Sequence, residues 1–213
     1  MKKEKILFDL DGTIIDPSEG IFKSVLYSLE KMQWERPSDT YLKSFIGPPL
    51  IDSYVGLGMT QTQAEQAIAY YREQYSHEGI FLMHPYEGIE SVLAELSASK
   101  ELYLATSKPD VFARQILEHL NFSQYFKGIY GANLEGTRSK KADVIRHVFV
   151  EAEIEVFDEV VMIGDRLHDI IGAVENNIES IGVLYGFGDQ KELEDAGATQ
   201  IVADTFDLLQ IIQ

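Results

Sequence analysis

The stretch Lys5-Ile6-Leu7-Phe8-Asp9-Leu10-Asp11-Gly12-Thr13 joins an uninterrupted apolar run to two acids and a glycine. Ile6 to Phe8 read as a strand covered on both faces, as in a parallel sheet. Side chains two apart on an extended backbone point the same way, so Asp9 and Asp11 project together from the carboxyl end of that strand. Gly12 then lets the chain turn. An ordinary Asp-Gly turn accounts for Asp11 and Gly12. It leaves unexplained a second acid, Asp9, still attached to the apolar run.

Outward from this stretch the texture changes twice. Asp16-Pro17-Ser18-Glu19 reads as a helix start, with Asp16 as cap and Pro17 in the first helical position. Phe22, Val25, Leu26 and Leu29 follow at helical spacing, and Ala64, Ala67, Ile68, Tyr71 and Tyr75 mark another helix face. Thr60/Gln63 and Thr62/Glu65 each offer a capping box before it. From about 17 to 82 the chain is expected to be helical. After His84-Pro85, short apolar runs near 102–105, 128–130, 160–163, 180–184 and 200–202 alternate with amphipathic segments, the helix after Gly164-Asp165 covering 170–175. This alternation predicts an α/β fold, a Rossmann-like, doubly wound parallel sheet. A small α-helical cap domain, 17–83, is expected to interrupt a core of 1–16 and 84–213 directly after the first strand.

Three apolar strands end in polar residues: Asp9 to Asp11, Thr106-Ser107 and Gly164-Asp165. Open α/β sheets bind ligands at the carboxyl ends of their strands, so adjacent strands would bring these groups to one crevice. Asp9-Leu-Asp-Gly-Thr13 resembles the Asp-x-Asp-Gly-Thr signature of the haloacid dehalogenase-like hydrolases. Thr106, Lys141 and the pair Asp165/Asp169 match that superfamily's remaining three motifs in order. The resemblance spans essentially the whole chain and implies a magnesium-dependent phosphatase. It makes Asp9 the nucleophile and Asp11 the general acid and base. It gives phosphate binding to Asp9, Gly12, Thr106, Ser107 and Lys141, and Mg²⁺ binding to Asp9, Asp11 (through its backbone carbonyl), Asp165 and Asp169. Lys140 competes with Lys141 for the lysine's place; Lys141 is preferred because it stands next to the helix it opens. Ile46, Gly47 and Pro48 are the expected specificity loop of the cap.

The physics agrees with these assignments. Four carboxylates and a phosphate ester repel one another; at ~4 Å each like pair costs roughly 4 kcal/mol at an effective dielectric of 20. A hard divalent cation bound through oxygens, together with a lysine and a hydroxyl, turns such a crevice into a phosphate site. Gly136-Thr137-Arg138-Ser139, Gly164 to Asp169 and Ile181 to Gly188 resemble the phosphoglycolate-phosphatase-like group, and within it the 5′-nucleotidase branch. Arg138 reads equally as a phosphate contact or a solvent-facing residue, His168 as a residue at or near the surface, and Gly186-Phe187-Gly188 as a turn. Gly131 to Thr137 has the glycine spacing of a phosphate loop but no lysine after Gly136, so that reading is rejected.

The formal charge of −17 repels nucleic acid and anionic membranes, and the chain has no cysteine for thiolate or disulfide chemistry. Met1-Lys-Lys-Glu-Lys leads into an apolar run too short for a signal peptide, and no run reaches membrane-spanning length. The expectation is a cytoplasmic monomer or homodimer acting on a small phosphorylated metabolite, with neither nucleic acid nor membrane as partner. Three rivals stand beside it. A dehalogenase needs no second acid, so Asp11 argues against that reading. A phosphomutase of the β-phosphoglucomutase type would use the same residues. A non-catalytic regulatory module on this fold should have lost the carboxylates that are all present here.

Overall fold

The computed structural model describes residues 3–135 and 137–212. The chain divides into two compact units. One is the chain before Asp16 together with the chain from Pro85 on; the other is Asp16–His84.

Strand β1 (Lys5–Phe8) is followed by a turn through Gly12, whose φ of 86° suits glycine, and by the short β2 (Ile15–Asp16). The second unit then carries α1 (Ser18–Lys31), α2 (Asp39–Lys43), α3 (Leu50–Gly56) and α4 (Gln61–His77). The first helix starts one residue later than expected. Asp16 belongs to β2, yet its carboxylate still accepts from Ser18 N at 2.9 Å, so the capping chemistry survives the shift. Of the two capping boxes, Thr60/Gln63 forms, while Thr62 lies inside α4. Val25, Leu29, Tyr54, Ala64, Ala67 and Tyr71 are buried in this unit. The Tyr54 hydroxyl meets Ser28 Oγ at 2.5 Å, and Ser28 Oγ also donates to Val25 O at 2.7 Å.

After β3 (His84–Pro85), which pairs with β2 as a two-stranded ribbon, the chain alternates. It runs through α5 (Ile89–Ser97), β4 (Glu101–Pro109), α6 (Asp110–His119), β5 (Gly128–Ala132), α7 (Lys141–Glu151), β6 (Val160–Gly164) and α8 (Leu167–Glu175). It ends with β7 (Glu179–Val183), α9 (Gln190–Ala196), β8 (Gln200–Val202) and α10 (Thr205–Ile212). Six strands form one parallel sheet in the order β5-β4-β1-β6-β7-β8. The α/β reading therefore holds, and the three strands that end in polar residues, β4, β1 and β6, are neighbours.

Ile6, Leu7 and Phe8 are all fully buried, as a central strand requires. Alternation sends Leu7, Tyr103, Ala105 and Met162 to one face, where they pack with Val144, Ile145 and Val148 of α7 and Ala173 of α8. Two elements are longer than their apolar patterns. β4 runs on to Pro109 through polar residues, and α8 starts at Leu167 rather than 170, which puts Asp169 in its first turn.

Candidate active site

Asp9 continues the ladder of β1, its N–H donating to Ile163 O at 2.9 Å. It lies two residues beyond Leu7 and so points to the face covered by α7. There Lys141, the first residue of α7, holds an almost fully buried ammonium. Its Nζ lies 2.8 Å from Asp9 Oδ1, 2.8 Å from Asp169 Oδ1 and 2.8 Å from Ala105 O, to which it donates. The two carboxylate oxygens meet the ammonium at ion-pair range without the alignment of a hydrogen bond. Burial works against the Lys141 charge, but Asp169 and Asp9 outweigh it and hold its pKa above that of an ordinary lysine. Lys140, by contrast, is exposed and stands just before α7 without a side-chain capping bond.

Asp165 and Asp169 complete the cluster. Oxygens of Asp9, Asp165 and Asp169 lie within 4.8 Å of one another, and all three residues are buried. Asp165 Oδ2 accepts from Phe187 N at 2.8 Å, and Asp169 Oδ2 from Arg166 N at 3.1 Å. Burial, then Asp169, pushes the Asp165 carboxyl well up. The cluster is packed tightly enough that a Cβ on Gly12 would stand 2.1 Å from Asp165 Oδ2.

Asp11 stands apart from this group. Its carboxylate pairs with Lys108, Oδ2 to Nζ at 2.6 Å, and burial raises its pKa although Lys108 pulls the other way. Thr106 is buried at the end of the regular part of β4, and its Oγ1 accepts from Lys108 N at 3.2 Å. Ser107 beside it is half-buried. Asp9, Asp11, Thr106, Lys141, Asp165 and Asp169 thus come from four stretches of the sequence to one end of the sheet.

The donor set fits a divalent cation. Asp11 Oδ1 and Asp165 Oδ1 are buried with no hydrogen-bond partner. Four carboxylates face two ammonium groups, leaving a formal excess of two negative charges if all ionise. Acceptor-only oxygens with that excess are what Mg²⁺ takes.

Several residues have other duties. Arg138 Nε donates to Gly131 O at 2.9 Å and its guanidinium lies 3.7 Å from Asp110, so it joins β5 to the start of α6. His168 is half-buried, and burial followed by Arg166 lowers its pKa. Glu192 Oε1 accepts from Arg166 Nε and from Leu167 N, both at 2.8 Å, bracing the loop before α8. Ile46 is fully buried, Gly47 has a φ of 104° and Pro48 is half-buried. Gly136 lies outside the described residues, as do Met1 and Lys2.

Two features escaped the sequence reading. Lys108 sits between a serine and a proline, and only folding pairs it with Asp11. The turn Gly186-Phe187-Gly188 grips Asp165 through a backbone N–H, for which no side-chain pattern exists; the tight glycine pair was its only trace.

The sequence model of the haloacid dehalogenase-like hydrolases matches residues 6–183. The chain belongs to the haloacid dehalogenase-like hydrolases. It is an enzyme of the phosphatase type within them. It is similar to a 5′-nucleotidase from Pseudomonas aeruginosa, 40% identical over 100% of this chain and 97% of that one. It also resembles the tyrosine-protein kinase PtkA of Mycobacterium bovis, 34% identical over 96% of this chain and 70% of that one. A phosphoglycolate phosphatase from Colwellia psychrerythraea is 26% identical over 99% and 96%. Among solved structures, a predicted phosphatase from Clostridium acetobutylicum superposes with a TM-score of 0.94 at 44% identity, covering 99% and 98% of the two chains. A haloacid dehalogenase-like family hydrolase from Streptococcus pneumoniae superposes with a TM-score of 0.93 at 31% identity, covering 100% and 99% of the two chains. Among the described residues no helix is long and apolar enough to cross a membrane.

Proposed function

We propose that the protein is a Mg²⁺-dependent phosphomonoesterase that works through an aspartyl-phosphate on Asp9, with nucleoside 5′-monophosphates as preferred substrates. One observation carries the chemistry: Lys141 and the carboxylates of Asp9, Asp165 and Asp169 share one buried cluster whose negative charge exceeds its positive charge. Asp9, Asp165, Asp169 and the backbone carbonyl of Asp11 would hold Mg²⁺, which when bound neutralises charge on the transferring phosphoryl group.

The chain's own groups then divide the work. An oxygen of Asp9 attacks phosphorus, forming the Asp9 O–P bond as the ester P–O bond breaks. Asp11 gives its proton to the departing oxygen. Burial raises the Asp11 pKa and so favours the protonated form that this step needs, against the pull of Lys108. In the second half a water oxygen attacks phosphorus, Asp11 takes the water's proton and the Asp9 O–P bond breaks. Thr106 and Lys141 hold phosphoryl oxygens in both halves. A phosphomutase, or a kinase such as the PtkA relative, would hand the phosphoryl group to a hydroxyl in place of water. The nucleotide preference rests on the 40% identical 5′-nucleotidase, and we assign substrate choice to the helical unit, Gly47 and Pro48 first.

The test is phosphate release with Mg²⁺ from nucleoside 5′-monophosphates, phosphoglycolate and sugar phosphates, in H₂¹⁸O. Label in the released phosphate and the highest kcat/KM on a nucleotide are expected. Transfer to a sugar or tyrosine hydroxyl, without label, would overturn the hydrolase reading. A preference for phosphoglycolate would overturn the nucleotide assignment alone.

A further inference from the structure

We propose that Lys108 is a positioning residue for the proton-transfer step, set against Asp11 by a bulge in β4. The proposal rests on the role given to Asp11 above. The register shows the bulge: Thr106 pairs with Gly131 and Pro109 with Ala132, so Ser107 and Lys108 are taken up within one step of β5. Extra residues of this kind bend a strand and redirect a side chain, and they recur beside active sites. Here Lys108 N folds back to Thr106 Oγ1, and the side chain is sent to Asp11, 2.6 Å from Oδ2.

The neighbouring strand is built to admit this. A Cβ on Gly131 would stand 2.4 Å from Lys108 O and 2.8 Å from Asp110 N, so a side chain there would collide with the bulge. The Lys108 side chain is only 6% exposed and that of Asp11 only 14%. A lysine is rarely taken so far from water without a specific partner.

The consequence for Asp11 follows from which oxygen is used. Lys108 occupies Oδ2, and Oδ1 is the buried oxygen without a hydrogen-bond partner. The pair fixes the plane of the carboxyl group and presents one oxygen to the reacting atoms. Lys141 serves Asp9 and Asp169 from α7, so the nucleophile and the proton carrier are held by different lysines on different elements.

A double-mutant cycle on the full chain tests this, using Lys108→Met, Asp11→Asn and the pair, with Lys108→Arg as the conservative variant. Each is assayed with Mg²⁺ on a nucleoside 5′-monophosphate and on p-nitrophenyl phosphate, whose leaving group hardly needs a proton. Lys108→Met should lower kcat on the nucleotide by about 10–10²-fold, less than the ~10²–10⁴-fold of losing proton transfer altogether. KM should stay within about twofold, p-nitrophenyl phosphate should suffer less, and Lys108→Arg should recover most of the loss. In the Asp11→Asn background Lys108→Met should change kcat by less than about twofold, because a residue acting only through Asp11 has nothing left to act on. Losses that multiply, or a raised KM with kcat intact, overturn the proposal. Should Lys108→Met fail to fold, Lys108→Gln takes its place in the same cycle. If the unmodified protein releases no phosphate, the function reading falls and this inference with it. If it is active, loses activity with Asp9→Asn and still shows multiplying losses, the Lys108 inference alone falls.

Discussion

The two units differ in the charge of the polar groups that they bury. Among the described residues of Asp16–His84, the buried polar residues are Ser24, Ser28 and Ser53, all neutral. Ser24 Oγ donates to Gly20 O, and Ser28 joins Val25 O and the Tyr54 hydroxyl. The sheet unit buries Asp9, Asp165, Asp169 and Lys141 at one end, with oxygens that find no hydrogen bond. Lys3 is a buried charge of another kind, satisfied by Asp158 O at 2.6 Å and Glu179 at 3.3 Å. Buried neutral groups that are fully bonded hold a fold together. Buried charges of one sign in excess destabilise it, and they persist where they serve a ligand.

The contrast breaks most visibly at Asp9, the nucleophile we propose. Asp9→Asn should cut kcat by about 10⁴-fold or more, the scale seen when a catalytic nucleophile is lost, while leaving the protein folded. Near-normal turnover in a folded variant would mean the buried charges are not there for catalysis. Chelation comes next. EDTA should abolish phosphate release and added Mg²⁺ restore it, with Ca²⁺ a poor substitute because it prefers more ligands and looser geometry. Mg²⁺ should also raise the melting temperature, and Asp165→Asn should erase that rise. A rise that survives in Asp165→Asn would place the ion elsewhere.

A smaller effect concerns pH. Burial pushes the Asp169 carboxyl from 3.8 up to about 6, with Lys141 opposing and Asp9 adding. The folded state therefore binds this proton more tightly than the unfolded chain. Its stabilising contribution is complete below 3.8 and is lost as pH rises through about 6. Asparagine cannot ionise, so in EDTA the Tm of Asp169→Asn should gain on that of the unmodified protein by a few degrees between pH 4 and 7, at about 2–4 °C per kcal/mol for a chain of this size. A constant or shrinking gap would contradict the assignment. The smallest effect lies in the helical unit. Tyr54→Phe removes one neutral hydrogen bond, costing about 0.5–1.5 kcal/mol. Calorimetry should record a Tm lower by roughly 2–4 °C per kcal/mol, with kcat and the pH profile of stability unchanged. A shifted pH profile would show that the two units do not divide polar chemistry as described.

What the sequence disclosed follows the same division. Asp9, Asp11 and Asp165 were legible because they stand where an apolar run ends, whereas Lys141 and Asp169 were singled out only by the resemblance to the superfamily's motifs. Which of Lys140 and Lys141 faces the carboxylates appears only in the structure, since neighbouring lysines look alike in a sequence. Lys108 was not legible, because a bulge directs it and bulges leave no periodic mark. Phe187 N was not legible either, because a backbone donor has no residue type. Helix and strand ends slipped by one to four residues where polar side chains extend an element, as in β4 and α8.

The place of β1 in the sheet has a consequence for how the chain is made. Lys5 pairs with Glu101 on one side and Val160 on the other, so the strand synthesised first has its last partner synthesised much later. At ~5–20 residues per second, Ile6 to Phe8 wait on the order of ten seconds at the ribosome before β6 emerges. The helical unit closes on residues that are continuous in the chain and needs no such wait. A nascent chain stopped before residue 160 is therefore expected to show a protease-resistant helical segment beside an open, sticky strand. Ribosome-bound fragments ending on either side of β6 would reveal that order of events through their cleavage patterns.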